Sequence, residues 1–113
     1  MKPVKQTKAG TEGNCFNACV ASILEWSLEE VDFHIKELGW FEQWIKFLKP
    51  KGYCLIYEAF DIAKIPATSE PVYAIAVGQN NQKTLNHAIV VLLETDYAAC
   101  ESKMEIVHDP MRS

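Results

Sequence analysis

Nucleophilic or metal chemistry in this chain would fall to four cysteines and three histidines: Cys15, Cys19, Cys54, Cys100, His34, His87 and His108. Cys15 and Cys19 open the stretch "GNCFNACVASILEW", whose apolar residues read as a buried helix. A thiol acts as a nucleophile through its thiolate, which the unpaired N–H groups and dipole of a helix N-terminus favour. Cys15 falls just inside the expected helix start, whereas Cys19 lies one turn deeper, where that help has faded. The reactive candidate is therefore Cys15, and Cys19 reads as a small buried residue beneath it. A disulfide between them would constrain almost nothing. A structural zinc site would need a second Cys or His pair downstream. The remaining candidates are scattered singly, so neither a metal nor a cofactor is expected.

A cysteine nucleophile also needs a base, and the base needs an orienting group. His34 falls inside a second helical pattern, at its apolar edge, and reads as a half-buried surface residue. His87 opens the most apolar strand-like segment, "HAIVVLLE", where a side chain can leave the sheet and face a cleft. Asp109 follows His108 in "IVHDP" and would reach His87 if the two strands are neighbours. Two plainer readings stay open: His87 as a hydrogen-bonded strand-edge residue, and Asp109-Pro110 as a simple turn.

The elements that must position these groups follow from pattern. A helix is expected from about Asn14 to Trp26, with Asn14 as its N-cap. In "SLEEVDFHIKELG", Ser27 and Glu30 have capping-box spacing, Leu28, Val31, Ile35 and Leu38 recur at helical period, and Gly39 is placed to end the helix. A shorter helix covers "FEQWIKFL" before Pro50 and Gly52, with Trp40, Phe41, Trp44 and Phe47 read as core packing. Beyond Gly52, "YCLIYEA", "PVYAIAVG", "HAIVVLLE" and "KMEIVH" read as strands, the third an inner one covered on both faces. The segment "ETDYAACESK" joins the last two, either as a hairpin with a long loop or as a further short strand. Helices first and strands afterwards predict a single α+β domain over residues 1–113, its mainly antiparallel sheet packed on the Cys15 helix.

Composition bounds the function. Of 113 residues, 49% are hydrophobic and 11% aromatic, enough for a packed core. The net charge of -4, without a lysine or arginine cluster, argues against a nucleic-acid partner. No apolar run reaches the roughly 18 residues of a membrane span, and "MKPVKQTKAG" has no apolar segment of signal-peptide type. A cytoplasmic location, in its own cell or in a host's, is therefore expected, and with it free thiols.

"NCFNACVASIL" resembles the nucleophile helix of papain-like cysteine peptidases, in particular the bacteriocin-leader-processing (double-glycine) group and similar small bacterial and phage proteins. "HAIVV" resembles the segment carrying their histidine and "IVHDP" the strand end carrying their aspartate, and the chain order Cys, His, Asp agrees. The resemblance implies a papain-like α+β fold and a peptide or protein substrate. It implies Cys15 as nucleophile, His87 as general base then acid, and Asp109 as orienter of the imidazole. It further implies an oxyanion-holding glutamine upstream. Gln6 is the candidate, although its gap of nine residues to Cys15 is longer than the family's. Phe16, where the family often has a small residue, would crowd or cap the substrate cleft. Two alternatives stand beside this reading. One is an inactive papain-like fold that binds or inhibits another protein through "GWFEQWIKFL", and the other is an unrelated α+β domain with structural cysteines.

Overall fold

The computed structural model describes residues 1–7, 14–31, 39–55, 68–79 and 86–111. Three helices, α1 (Cys15–Leu24), α2 (Leu28–Val31) and α3 (Trp40–Leu48), precede three strands, β1 (Val72–Gln79), β2 (Asn86–Asp96) and β3 (Glu101–His108). The described architecture is thus α+β, with an antiparallel sheet in the order β1-β2-β3.

α1 forms where the sequence predicts it, because Ala18 and Ala21 favour helix and pack closely. Both are fully buried, as are Cys19 and Ser22. The helix ends at Glu25, which takes a left-handed conformation (φ 58) without being glycine. A polar residue on the buried face needs partners. Ser22 finds them locally and across the fold: its hydroxyl donates to the Ala18 carbonyl at 2.7 Å and accepts the Val4 N–H at 2.9 Å. The Lys2 N–H adds a bond to the Ser22 carbonyl at 2.9 Å. The N-terminal segment is thereby strapped along α1.

Half of the expected capping box at α2 is present: Glu30 Oε1 accepts from the backbone N–H and the hydroxyl of Ser27, while the Glu30 N–H goes to the Ser27 carbonyl rather than to its hydroxyl. His34, Ile35 and Leu38 lie outside the described residues. Gly39, expected to end the second helix, stands as the residue preceding α3. α3 passes into a single 3-10 turn, Lys49–Lys51, which tolerates Pro50 and closes at Gly52 in the left-handed region (φ 85). The reading of the aromatics on α3 as core holds for Trp44, which is 3% exposed, but Trp40 and Phe41 remain 46% and 38% exposed. Of the segment "YCLIYEA", Tyr53, Cys54 and Leu55 form no strand, and its other residues lie outside the described ones.

β2 is the central strand, as its unbroken apolar run suggests. Ala88 and Val90 are buried against Cys19 of α1, and Val91 and Leu93 are buried as well. Fully burying such side chains contributes about 1.5–3 kcal/mol each. β2 and β3 join through a tight turn at Tyr97–Cys100, without a further strand. Val90 pairs with His108 but Val91 pairs with Ile106, so Val107 is an extra residue, a β-bulge near the end of β3.

Candidate functional site

Cys15 is the first residue of α1 and is half-buried, packed against the cluster of Cys19, Ala88 and Val90. Ala88 directly follows His87 in β2, so the strand against which Cys15 packs is also the one that carries the base candidate. The first intrahelical bond of α1 runs from the Ala18 N–H to the Asn14 carbonyl at 2.9 Å. The N–H groups of Cys15, Phe16 and Asn17 accordingly have no acceptor within the helix. Cys19, fully buried below, has its thiol pushed well above the usual range by burial, with charge on Cys15 and on Asp109 adding to the effect. That places both groups within electrostatic reach of one sulfur. It also makes Cys19 a protonated core residue, as its place in the helix suggested.

His87 stands near the start of β2, opposite Gly78 of β1. A Cβ added at Gly78 would meet none of the described residues within 4 Å. His87 Nε2 lies 2.7 Å from Asp109 Oδ1, and the two side chains are 23% and 22% exposed. A carboxylate accepts, so Nε2 carries the hydrogen. In the neutral ring the other nitrogen, Nδ1, is then the bare one and free to take a proton. Asp109 is itself held: the same Oδ1 accepts the Met111 N–H at 3.0 Å across buried Pro110. This local turn fixes the carboxylate before it meets the histidine. His87 and Asp109 are thus brought together as the strand order suggested. Among the described residues, no hydrogen bond joins the Cys15 thiol to either.

Asn14 departs from its expected role, because its side chain makes no capping bond to α1. Instead Asn14 Oδ1 accepts the Thr7 N–H at 3.0 Å, and Asn14 Nδ2 donates to the Thr7 hydroxyl at 2.9 Å. Gln6, next to Thr7, donates its backbone N–H to the Pro110 carbonyl at 3.1 Å, and its side-chain Oε1 is buried. The Gln6-Thr7 pair therefore runs from the residue after Asp109 to the residue before Cys15. The long sequence gap between Gln6 and Cys15 is closed by this docking. His108 completes the strap by donating Nε2–H to the Val4 carbonyl at 2.7 Å. None of these fastening roles was read from the sequence; a polar Ser22 on a buried helix face was the one visible signal.

Phe16 packs on the cluster that includes Cys15. Its ring makes edge contacts with Trp40 (centroids 4.8 Å apart) and Trp44 (5.1 Å), turning toward α3. Asn17 donates to the Val31 carbonyl at 2.6 Å, tying α1 to α2. Open hollows at the other end of the sheet, around Asp96, Glu101, Ser102 and Lys103, contain neither Cys nor His. Among the described residues, no cluster of His, Cys, Asp and Glu has the makings of a metal site, and no helix is long and apolar enough to cross a membrane.

No family model, curated protein or solved structure matches the chain.

Proposed function

We propose that this protein is a small papain-like cysteine hydrolase that transfers an acyl group through Cys15, His87 and Asp109, with a peptide or protein as substrate. The observation that carries the reading is the 2.7 Å bond from His87 Nε2 to Asp109 Oδ1. It holds the imidazole by one nitrogen and leaves Nδ1 available, on the strand whose Ala88 and Val90 pack in the cluster with Cys15. His87 Nδ1 takes the Cys15 proton as Sγ bonds to the substrate carbonyl carbon, and the carbonyl oxygen takes up the negative charge. Collapse of that intermediate breaks the bond to the leaving amine, which receives the proton from His87. Water then gives a proton to His87 and attacks the thioester, releasing the acid and restoring the thiol. The unpaired N–H groups at the start of α1 and the Gln6 amide are the candidate donors to the oxyanion.

The test uses the protein's own cysteines as references. Iodoacetamide alkylation at mildly acidic pH, read by mass spectrometry, should modify half-buried Cys15 faster than exposed Cys54 and Cys100. His87→Ala should abolish that advantage. Reaction of Cys15 at or below the rate of the exposed pair, regardless of His87, would overturn the reading. The second reading, an inactive fold of the same kind that binds a protein, draws on the exposure of Trp40 and Phe41. It is favoured if Cys15 is inert and Trp40→Ala abolishes capture of a defined partner.

A further inference from the structure

The Asn14 side chain occupies the position of a helix cap but does not cap. Asparagine at such a position ordinarily accepts a backbone N–H of its own helix. Here both of its polar atoms are committed to Thr7, one to the backbone N–H and one to the hydroxyl. A two-bond bridge fixes orientation as well as distance, because the amide plane must face the Thr7 backbone and side chain together. Asn14 is 4% exposed, so water competes poorly for these bonds. The bridge also leaves the first-turn N–H groups of α1 without this side chain's oxygen, at the very turn that carries Cys15. We propose that Asn14 is a positioning residue whose bridge to Thr7 holds Gln6 beside the start of α1, where an oxyanion on a Cys15-bound carbonyl would form. This rests on the acyl-transfer reading above and adds to it the device that assembles the oxyanion site from a remote segment. The strap is held elsewhere by Ser22 and His108, and on the Asp109 side by the Pro110 carbonyl. Among the described residues, the Asn14–Thr7 bridge fastens the strap at the residue next to the nucleophile.

Two reactions at Cys15 separate this role from a structural one. Alkylation by iodoacetamide builds no oxyanion, whereas acylation by p-nitrophenyl acetate does. Asn14→Ser restores a good helix cap but is too short to bridge Thr7, and Thr7→Val keeps the backbone N–H and the shape while removing the hydroxyl. Both should lower acylation of Cys15 about tenfold or more, a part of the roughly hundredfold or greater loss typical of a missing oxyanion donor. Alkylation should stay within about twofold, and Thr7→Ser should restore acylation. Gln6→Ala should show the same selective loss, and adding Asn14→Ser to it should cost little more, since the two act as one unit. An unchanged ratio of acylation to alkylation in both single variants, or fully additive losses in the double variant, would overturn the proposal. A wild-type Cys15 that acylates no faster than Cys54 and Cys100 instead removes the hydrolase reading, and this one with it.

Discussion

Replacing Asp109 by asparagine is usually expected to ruin a histidine base, because the amide can present NH2 and force the wrong tautomer; in a serine triad that costs about 10⁴ in rate. Here the structure predicts otherwise. Asp109 Oδ1 accepts two hydrogens, from His87 Nε2 at 2.7 Å and from the Met111 N–H at 3.0 Å. An amide in its place keeps both bonds only with its oxygen at the Oδ1 position. The flipped amide would aim NH2 at the Met111 N–H and forfeit a hydrogen bond worth about 0.5–1.5 kcal/mol. That bias favours the oxygen-inward orientation by roughly two- to thirteenfold, which leaves the hydrogen on Nε2 and Nδ1 bare. At Oδ1, Asp109→Asn loses the charge assistance, about 1 kcal/mol between a charged and a neutral acceptor, or roughly fivefold in rate. Asp109→Ala loses the whole bond, about 1.5–3 kcal/mol, or roughly ten- to 150-fold. The assay is Cys15 alkylation referenced to Cys54, with the His87 tautomer read by long-range nitrogen–proton NMR. Asp109→Asn should keep most of the Cys15 reactivity and the Nε2–H tautomer, with Asp109→Ala far below it. If the asparagine variant is as slow as the alanine one, or carries its hydrogen on Nδ1, Met111 does not set the orientation and the reasoning fails.

The other predictions concern the scaffold and the approach to the site. Ser22→Ala removes the hydroxyl that serves Val4 and Ala18; stranding the Val4 N–H should cost about 1–3 kcal/mol, seen as a lower midpoint in urea. Burial raises the folded-state pKa of Cys19 and keeps its thiol protonated, so its stabilising contribution is complete below the unfolded thiol's value of about 8.5 and declines as pH rises above that. Between pH 8 and 10 this amounts to about 2 kcal/mol, and Cys19→Ala should lose that share of the pH dependence; equal slopes in both proteins would contradict it. Gly78→Leu adds a side chain opposite His87 where no described residue obstructs it. It should leave thermal stability near wild type, spare small iodoacetamide, and slow Cys15 modification by a bulky maleimide severalfold; uniform rates would show that substrate does not approach along β1.

How much of this was legible in the sequence depends on the distance over which each residue finds its partner. The Ser27–Glu30 bond was legible because both partners lie within one helical turn, and the central place of β2 because an unbroken apolar run needs two covered faces. His87 and Asp109 could be paired on paper because consecutive strands are usually neighbours. Asn14 was misread because propensity reports only local competition: a single capping bond ranks first until a distant Thr7 offers two. The bulge at Val107 is the deepest case. In regular alternation Val107 and His108 would face opposite sides of the sheet. With one extra residue in the strand, Val107 packs against Cys19, Ala88 and Val90 while His108 reaches Val4, which lies on α1 through Ser22. Both consecutive residues thus serve the helix side. No residue in "MEIVHDP" announces the bulge, since β-branched Val107 suits a regular strand equally well. It is nonetheless the irregularity that lets the end of β3 hold the strap while the next residue, Asp109, holds the histidine. The candidate acid–base pair and the candidate oxyanion segment are therefore positioned by one feature of the backbone that side-chain pattern does not encode.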